Sequence, residues 1–222
     1  YGGPIAIATK WFPDKRGLAI GLTVIGFGLS PLITAPFSKM LIDIFGPLKA
    51  FLFLGLIFLF TIILLALFMK FPPSNWNANN GKILNNDLDN NFTLSEMLKN
   101  SSFYALWTCY AIGTTSGLMA IGISSPVGEE IIKISSNISS LAVSIFAIFN
   151  GLGRPIFGWL TDKISPKFTS IISFIIIFFA SIGMINAQEG KIILYLICFI
   201  CFWLCLGGWL AIAPATTANF YG

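Results

Sequence analysis

The 222-residue chain is 56% hydrophobic and only 10% charged, with a mean hydropathy of +0.85, whereas an ordinary soluble domain carries about a quarter charged residues. Water is therefore not the solvent for most of it, and the net charge of +4 comes with no basic stripe that would suit a nucleic acid. No histidine is present, and the four cysteines (Cys109, Cys198, Cys201, Cys205) all lie in apolar runs, where they read as small hydrophobes rather than metal ligands.

The chain opens on Tyr1-Gly2-Gly3-Pro4 without a basic leader, so no signal peptide is read there. Residues 1–9 read as the tail of a helix, and the whole as a piece of a longer chain. Six continuous apolar runs follow, over 17–40, 48–69, 103–124, 139–161, 168–187 and 191–215. Each is long enough to cross a bilayer as a helix. Only helices or closed barrels satisfy their backbone groups in lipid, and unbroken runs of this length disfavour strands. The predicted fold is all-α and polytopic.

If the spans alternate, loops 10–16, 70–102 and 161–167 share one side with eight basic residues, Lys10, Lys15, Arg16, Lys70, Lys82, Lys99, Lys163 and Lys167. The other side holds four, Lys39, Lys49, Lys133 and Lys191. The excess assigns the first set to the cytoplasm. The longest of these loops begins at Pro72-Pro73 and is rich in Asn, a polar-linker composition. Within it Thr93, three residues before Glu96, predicts a capping box and a short helix to Lys99. The organisation that follows is 1–69 as the end of one helical bundle, 70–102 as a linker, and 103–222 as the first part of a second bundle.

Several spans carry glycine and proline: Gly26, Gly28, Pro31 and Pro36 in the first, Gly113, Gly117 and Gly122 in the third, and Gly207, Gly208 and Pro214 in the last. They serve either bending or close helix contact. Aromatic residues near span ends, including Tyr1, Trp11, Trp107 and Trp203, suit an interfacial belt. Tyr110 and Trp209 sit deeper and are candidate cavity-lining residues.

One charge stands inside a span. Arg154 precedes Asp162, at the helix end, by eight residues, which at about 1.5 Å rise puts it roughly 12 Å deep. A guanidinium at that depth faces a cavity or a partner, and it can bind a carboxylate through two parallel hydrogen bonds. Arg154 is the candidate substrate-anion clamp. The alternative is that it snorkels to the interface or braces the loop through Asp162. No Gly-x-x-x-x-Gly-Lys-Ser/Thr loop for an ATP-driven motor occurs. Arg154 alone does not make a catalytic cluster, so no enzyme activity and no cofactor are expected.

Gly2-Gly3-Pro4-Ile5-Ala6-Ile7-Ala8 is echoed by Gly207-Gly208-Trp209-Leu210-Ala211-Ile212-Ala213 at an offset of 205 residues, a spacing of about six spans per repeat, as in duplicated transporters. With the long linker and Gly158-Trp159-Leu160-Thr161-Asp162-Lys163, the chain resembles the major facilitator superfamily from the end of its fourth helix through its tenth. The hexapeptide is similar to that family's loop signature, although Ser165 and Pro166 stand where the family favours Gly and Arg. The resemblance implies that Gly158, Asp162 and Lys163 form a cytoplasmic gating motif.

Trp11-Phe12-Pro13-Asp14-Lys15-Arg16-Gly17-Leu18-Ala19-Ile20-Gly21-Leu22, Gly26-Phe27-Gly28 and Asn150-Gly151-Leu152-Gly153-Arg154-Pro155 resemble the oxalate:formate antiporter and monocarboxylate transporter group. That resemblance implies secondary transport of small organic anions by alternating access, with a coupled proton or counter-anion, and agrees with Arg154 as the anion ligand. Two alternatives stay open: the same fold carrying another solute, such as a sugar, drug or amino acid, and a membrane sensor that transports nothing.

Overall fold

A computed structural model describes residues 2–73, 76 and 92–221. Tyr1 and the Asn-rich centre of the linker fall outside them. The described residues form eight helices and one π-helical turn: α1 (Gly2–Trp11), α2 (Arg16–Phe45), α3 (Pro47–Phe68), α4 (Leu94–Lys99), α5 (Ser101–Pro126), the π turn Val127–Ile131, α6 (Ser136–Lys163), α7 (Pro166–Ile185) and α8 (Ile192–Tyr221). Six of these helices are long and apolar enough to cross a membrane, and no strand occurs among the described residues.

The helices run past several predicted ends. α8 continues through Pro214 to Tyr221 rather than stopping at 215. There the Thr216 and Thr217 hydroxyls donate to the Ile212 and Ala213 carbonyls, so polar residues close on their own helix. α5 passes 124 and runs into the π turn at Pro126, whose ring cannot continue regular bonding. The Ile132 amide then donates to the Val127 carbonyl, 3.0 Å away.

α8 is the hub of the C-terminal helices, with α5, α6 and α7 packed around it, while α2 lies against α6 and α3 rests chiefly on α2. α3 is apolar on every side and buries only Ala50, as a lipid-facing helix does. α2 and α6 run antiparallel, since Gly17 meets Gly158 and Gly28 meets Gly151. α6 and α8 run parallel: Phe146 stacks on Phe199 at 5.6 Å, and further along Phe157 meets Gly208.

Lipid is as apolar as the side chains it contacts, so association of these helices rests on close packing and a few hydrogen bonds. The glycines supply the packing. A Cβ on Gly207 would collide with the Asn150 carbonyl, one on Gly113 with the Trp209 indole, and one on Gly117 with Leu206. Close contact, rather than bending, explains these positions. Gly26 and Gly122 have nothing within 4 Å of a built Cβ, so packing does not account for them. Hydrogen bonds between helices run from the Tyr195 hydroxyl to the Ser124 carbonyl at 2.8 Å and from the Asn150 amide to the Trp203 carbonyl at 3.2 Å. Such bonds are worth about 0.6 kcal/mol each in a membrane, so steric fit dominates.

The linker's described ends are anchored at one end of the bundle. Trp76 packs edge-on against Trp11 at 4.7 Å and donates to its carbonyl, and Trp11 donates to the Lys70 carbonyl. At the other side the Phe92 amide donates to the Tyr221 carbonyl. The expected capping box is present: the Glu96 carboxylate accepts from the Thr93 amide at 2.8 Å, and the Glu96 amide donates to the Thr93 hydroxyl at 3.4 Å. The backbone bond from Thr93, with its hydroxyl second, lowers the Glu96 pKa from the ordinary glutamate value. A depressed carboxylate stabilises the cap above the unfolded pKa and stops doing so as pH falls through the folded one. A carboxyl-carbon NMR titration of Glu96 should therefore give a midpoint below that of free glutamate; an ordinary midpoint would show that the box adds nothing in solution.

Candidate functional site: an arginine in a glycine-lined seam

Along one face of α2 the glycines at 17, 21 and 28 let the helix approach α6 to backbone contact. A Cβ at Gly17 would strike the Gly158 carbonyl, one at Gly21 the Arg154 carbonyl, and one at Gly28 would lie 2.7 Å from the Gly151 Cα. From α6, Gly158 meets the Gly17 carbonyl and Gly151 meets the Leu29 side chain. This seam joins α2 to α6, helices on either side of residues 70–102 in the chain.

Arg154 lies in the middle of the seam, 1% exposed. One guanidinium nitrogen donates to the Val24 carbonyl of α2, and the other donates to the Asn150 side-chain oxygen at 3.2 Å. Asn150, one turn earlier on α6, turns its amide nitrogen to the Trp203 carbonyl of α8. The Phe27 ring of α2 covers the guanidinium, with its centroid 4.9 Å from Cζ, a cation–π arrangement. Arg154 thus does not snorkel, because its head turns sideways into α2.

At the end of the seam the Asp162 carboxylate accepts from the Gly17 and Leu18 amides, each at 2.7 Å. These are orphan donors of the first turn of α2, where no side chain of α2 itself makes a cap. A negative charge there meets the positive end of the helix dipole. Arg16 reaches the opposite way, donating to the Ala218 carbonyl in the last turn of α8 at 2.6 Å and lying 3.5 Å from the Asn219 side-chain oxygen. Asp162 and Arg16 therefore cap two helix ends across the same junction. Lys163 stays on its own helix, 4.7 Å above the Trp159 ring.

The structure brings Tyr110 and Trp209 together in another place. Trp209 is fully buried in a cluster with Phe157, Cys205 and Ile212, its ring 5.2 Å from Phe174, and Tyr110 packs on the edge of that cluster. This is the aromatic interior between α5, α6, α7 and α8, whereas Arg154 turns to α2. The cysteines of α8 join similar packing, with Cys198 and Cys205 buried. The sequence places Asn150, Arg16 and Phe27 inside the quoted motifs but gives none of them a role in the site. The i, i+4 spacing of Asn150 and Arg154 was a physical signal for the pair, since it places both on one helix face.

The family model described as Major Facilitator Superfamily matches residues 1–221. The oxalate:formate antiporter of Oxalobacter formigenes is 32% identical over 227 residues, covering 100% of this chain and 52% of that protein. An uncharacterized MFS-type transporter of Escherichia coli (strain K12), YhjX, is 24% identical over 213 residues, covering 96% of this chain and 52% of its own. The chain spans about half the length of these two relatives.

Proposed function

The chain belongs to the Major Facilitator Superfamily, a family of multi-pass membrane transporters, and from that premise we propose that the whole protein exchanges or cotransports small organic anions by alternating access. The observation that carries this reading is a permanently charged guanidinium, 1% exposed, in the seam between α2 and α6. Such a charge is costly in a bilayer, and residues of this kind mark substrate or ion pathways. A carboxylate substrate can take both of its donor nitrogens, exchanging the Val24 carbonyl and the Asn150 oxygen for a stronger charge-assisted pair. Tyr110, at the edge of the aromatic cluster, is proposed as a further substrate contact with Trp209 as the wall behind it. The relative named as an oxalate:formate antiporter supports a dicarboxylate or monocarboxylate as substrate.

In this proposal Gly158 and Asp162 form the cytoplasmic gate together with Arg16, and Lys163 tunes the surface beside it. The end carrying Lys10, Lys70 and Lys163 is the cytoplasmic one. The Asp162 and Arg16 contacts hold that end closed, and they must break for the solute to leave toward the cytoplasm. Residues 1–69 and 103–222 would then belong to two bundles rocking about the α2–α6 seam, with 70–102 joining them.

A second reading has one observation in its favour. Arg154 is already served by Val24, Asn150 and Phe27, as a purely structural arginine would be, and the carrier would then take another solute. Uptake of labelled oxalate into proteoliposomes preloaded with formate or oxalate, measured on the whole protein beside empty vesicles, separates the two. Counterflow above the empty vesicles is the expected result. Correctly folded protein without counterflow of any carboxylate would move the assignment to the second reading, and absence of flux for every solute class would point to a sensor.

A further inference from the structure

Phe27 of α2 sits over the buried charge of the seam. Its ring lies over the Arg154 guanidinium at 4.9 Å, yet the residue is 66% exposed, while the arginine it covers is 1% exposed. One face of the ring is therefore spent on the cation and much of the rest looks outward. The neighbouring glycines set this up differently. Gly28 lets α2 close onto Gly151, which brings Phe27 over Arg154, whereas Gly26 has open space around it, leaving the backbone beside Phe27 unencumbered. Beneath the ring, Nη1 is held by the Val24 carbonyl, one turn before Phe27 on the same helix.

We propose that Phe27 is a lid on Arg154, and that an anion reaches the guanidinium only when the ring swings aside and the Val24 carbonyl gives up its hydrogen bond. The inference rests on the anion-clamp reading for the identity of the visitor, but the lid itself rests on the geometry alone. The ring and the Val24 carbonyl belong to α2, on the other side of the seam from Arg154, whereas Asn150, which takes the second nitrogen, is on α6 itself. Anion binding therefore loosens α2 from α6 at the same moment as it neutralises the buried charge. Without the anion, the ring and the carbonyl hold the two helices together, and the empty carrier is slow to change sides. Phe27 acts through Arg154 and is a positioning residue.

The test is the rate at which phenylglyoxal, an arginine-specific dicarbonyl, modifies Arg154 in the whole protein, read by peptide mass mapping with Arg16 as an internal reference. The wild type should react slowly. Phe27→Ala should react about tenfold faster, the change expected from losing a partly desolvated cation–π contact, and Phe27→Tyr should restore the slow rate. If Phe27→Ala does not fold, Phe27→Leu, which keeps apolar bulk but no ring face, replaces it. Equal rates in wild type and the ring-less variants would overturn the lid. Faster modification that added oxalate or formate suppresses supports both the lid and the clamp. Faster modification that neither anion suppresses leaves the lid supported and removes Arg154 as the anion ligand.

Discussion

Replacing Arg154 with Gln in the whole protein should reduce anion counterflow by about 100-fold, the equivalent of losing a charge-assisted pair worth about 3 kcal/mol. Gln ends two bonds short of the nitrogen that serves the Val24 carbonyl, but the backbone contacts of the glycines across the seam are untouched, so the fold should survive. A melting temperature within a few degrees of wild type is the control. Arg154→Lys should fall between the two, because an ammonium keeps the charge but cannot present the planar fork that matches a carboxylate. Transport by Arg154→Gln at wild-type affinity would mean that the arginine is structural, and the carrier of another solute would become the better reading.

Gly158→Leu should prevent the proposed cytoplasmic gate from closing. Position 158 has no space for a side chain, because even a Cβ would collide with the Gly17 carbonyl of α2. Neither partner atom can rotate away, since both belong to helix backbones. Overpacking a fitted interface costs about 1–3 kcal/mol, and here that cost falls only on the closed arrangement. It moves the equilibrium toward the open one by about 5- to 150-fold. Spin labels at the exposed Lys10 and Lys167 positions, one on each side of the seam, should report a longer distance in the variant. Asp162→Asn should act in the same direction but more weakly. It keeps one oxygen to accept from Gly17 or Leu18, and loses the other bond, worth about 1 kcal/mol, together with the charge at the helix end, worth about 0.3–1 kcal/mol. An unchanged distance distribution in Gly158→Leu would show that this contact does not hold the seam closed.

The six membrane helices were legible because a bilayer asks for long unbroken apolar runs, a demand on composition that any neighbour leaves intact. Arg154 was legible for the same reason, as the one charge inside a span, and the Thr93 and Glu96 box because a cap is a local contact three residues long. The π turn was not, since its ring closure at Ile132 depends on how Pro126 ends α5. Trp209 shows the limit from the other side: its depth in the span was legible, but depth does not tell which face of a helix meets which neighbour. Its contact with Gly113 on α5 joins residues nearly a hundred positions apart.

Sequence alone determined the solvent of this chain, its helical class, the polar Asn-rich stretch and the buried charge, each a property of residues within a turn or a span of one another. Only the tertiary structure decided that α2 lies against α6 closely enough for Asp162 to cap it, that Arg154 turns to the Val24 carbonyl, and that Phe27 closes over it. Those outcomes depend on glycines at 17, 28, 151 and 158 meeting across the seam. Where two helices are alike in hydrophobicity, lipid does not choose between partners, and steric fit does.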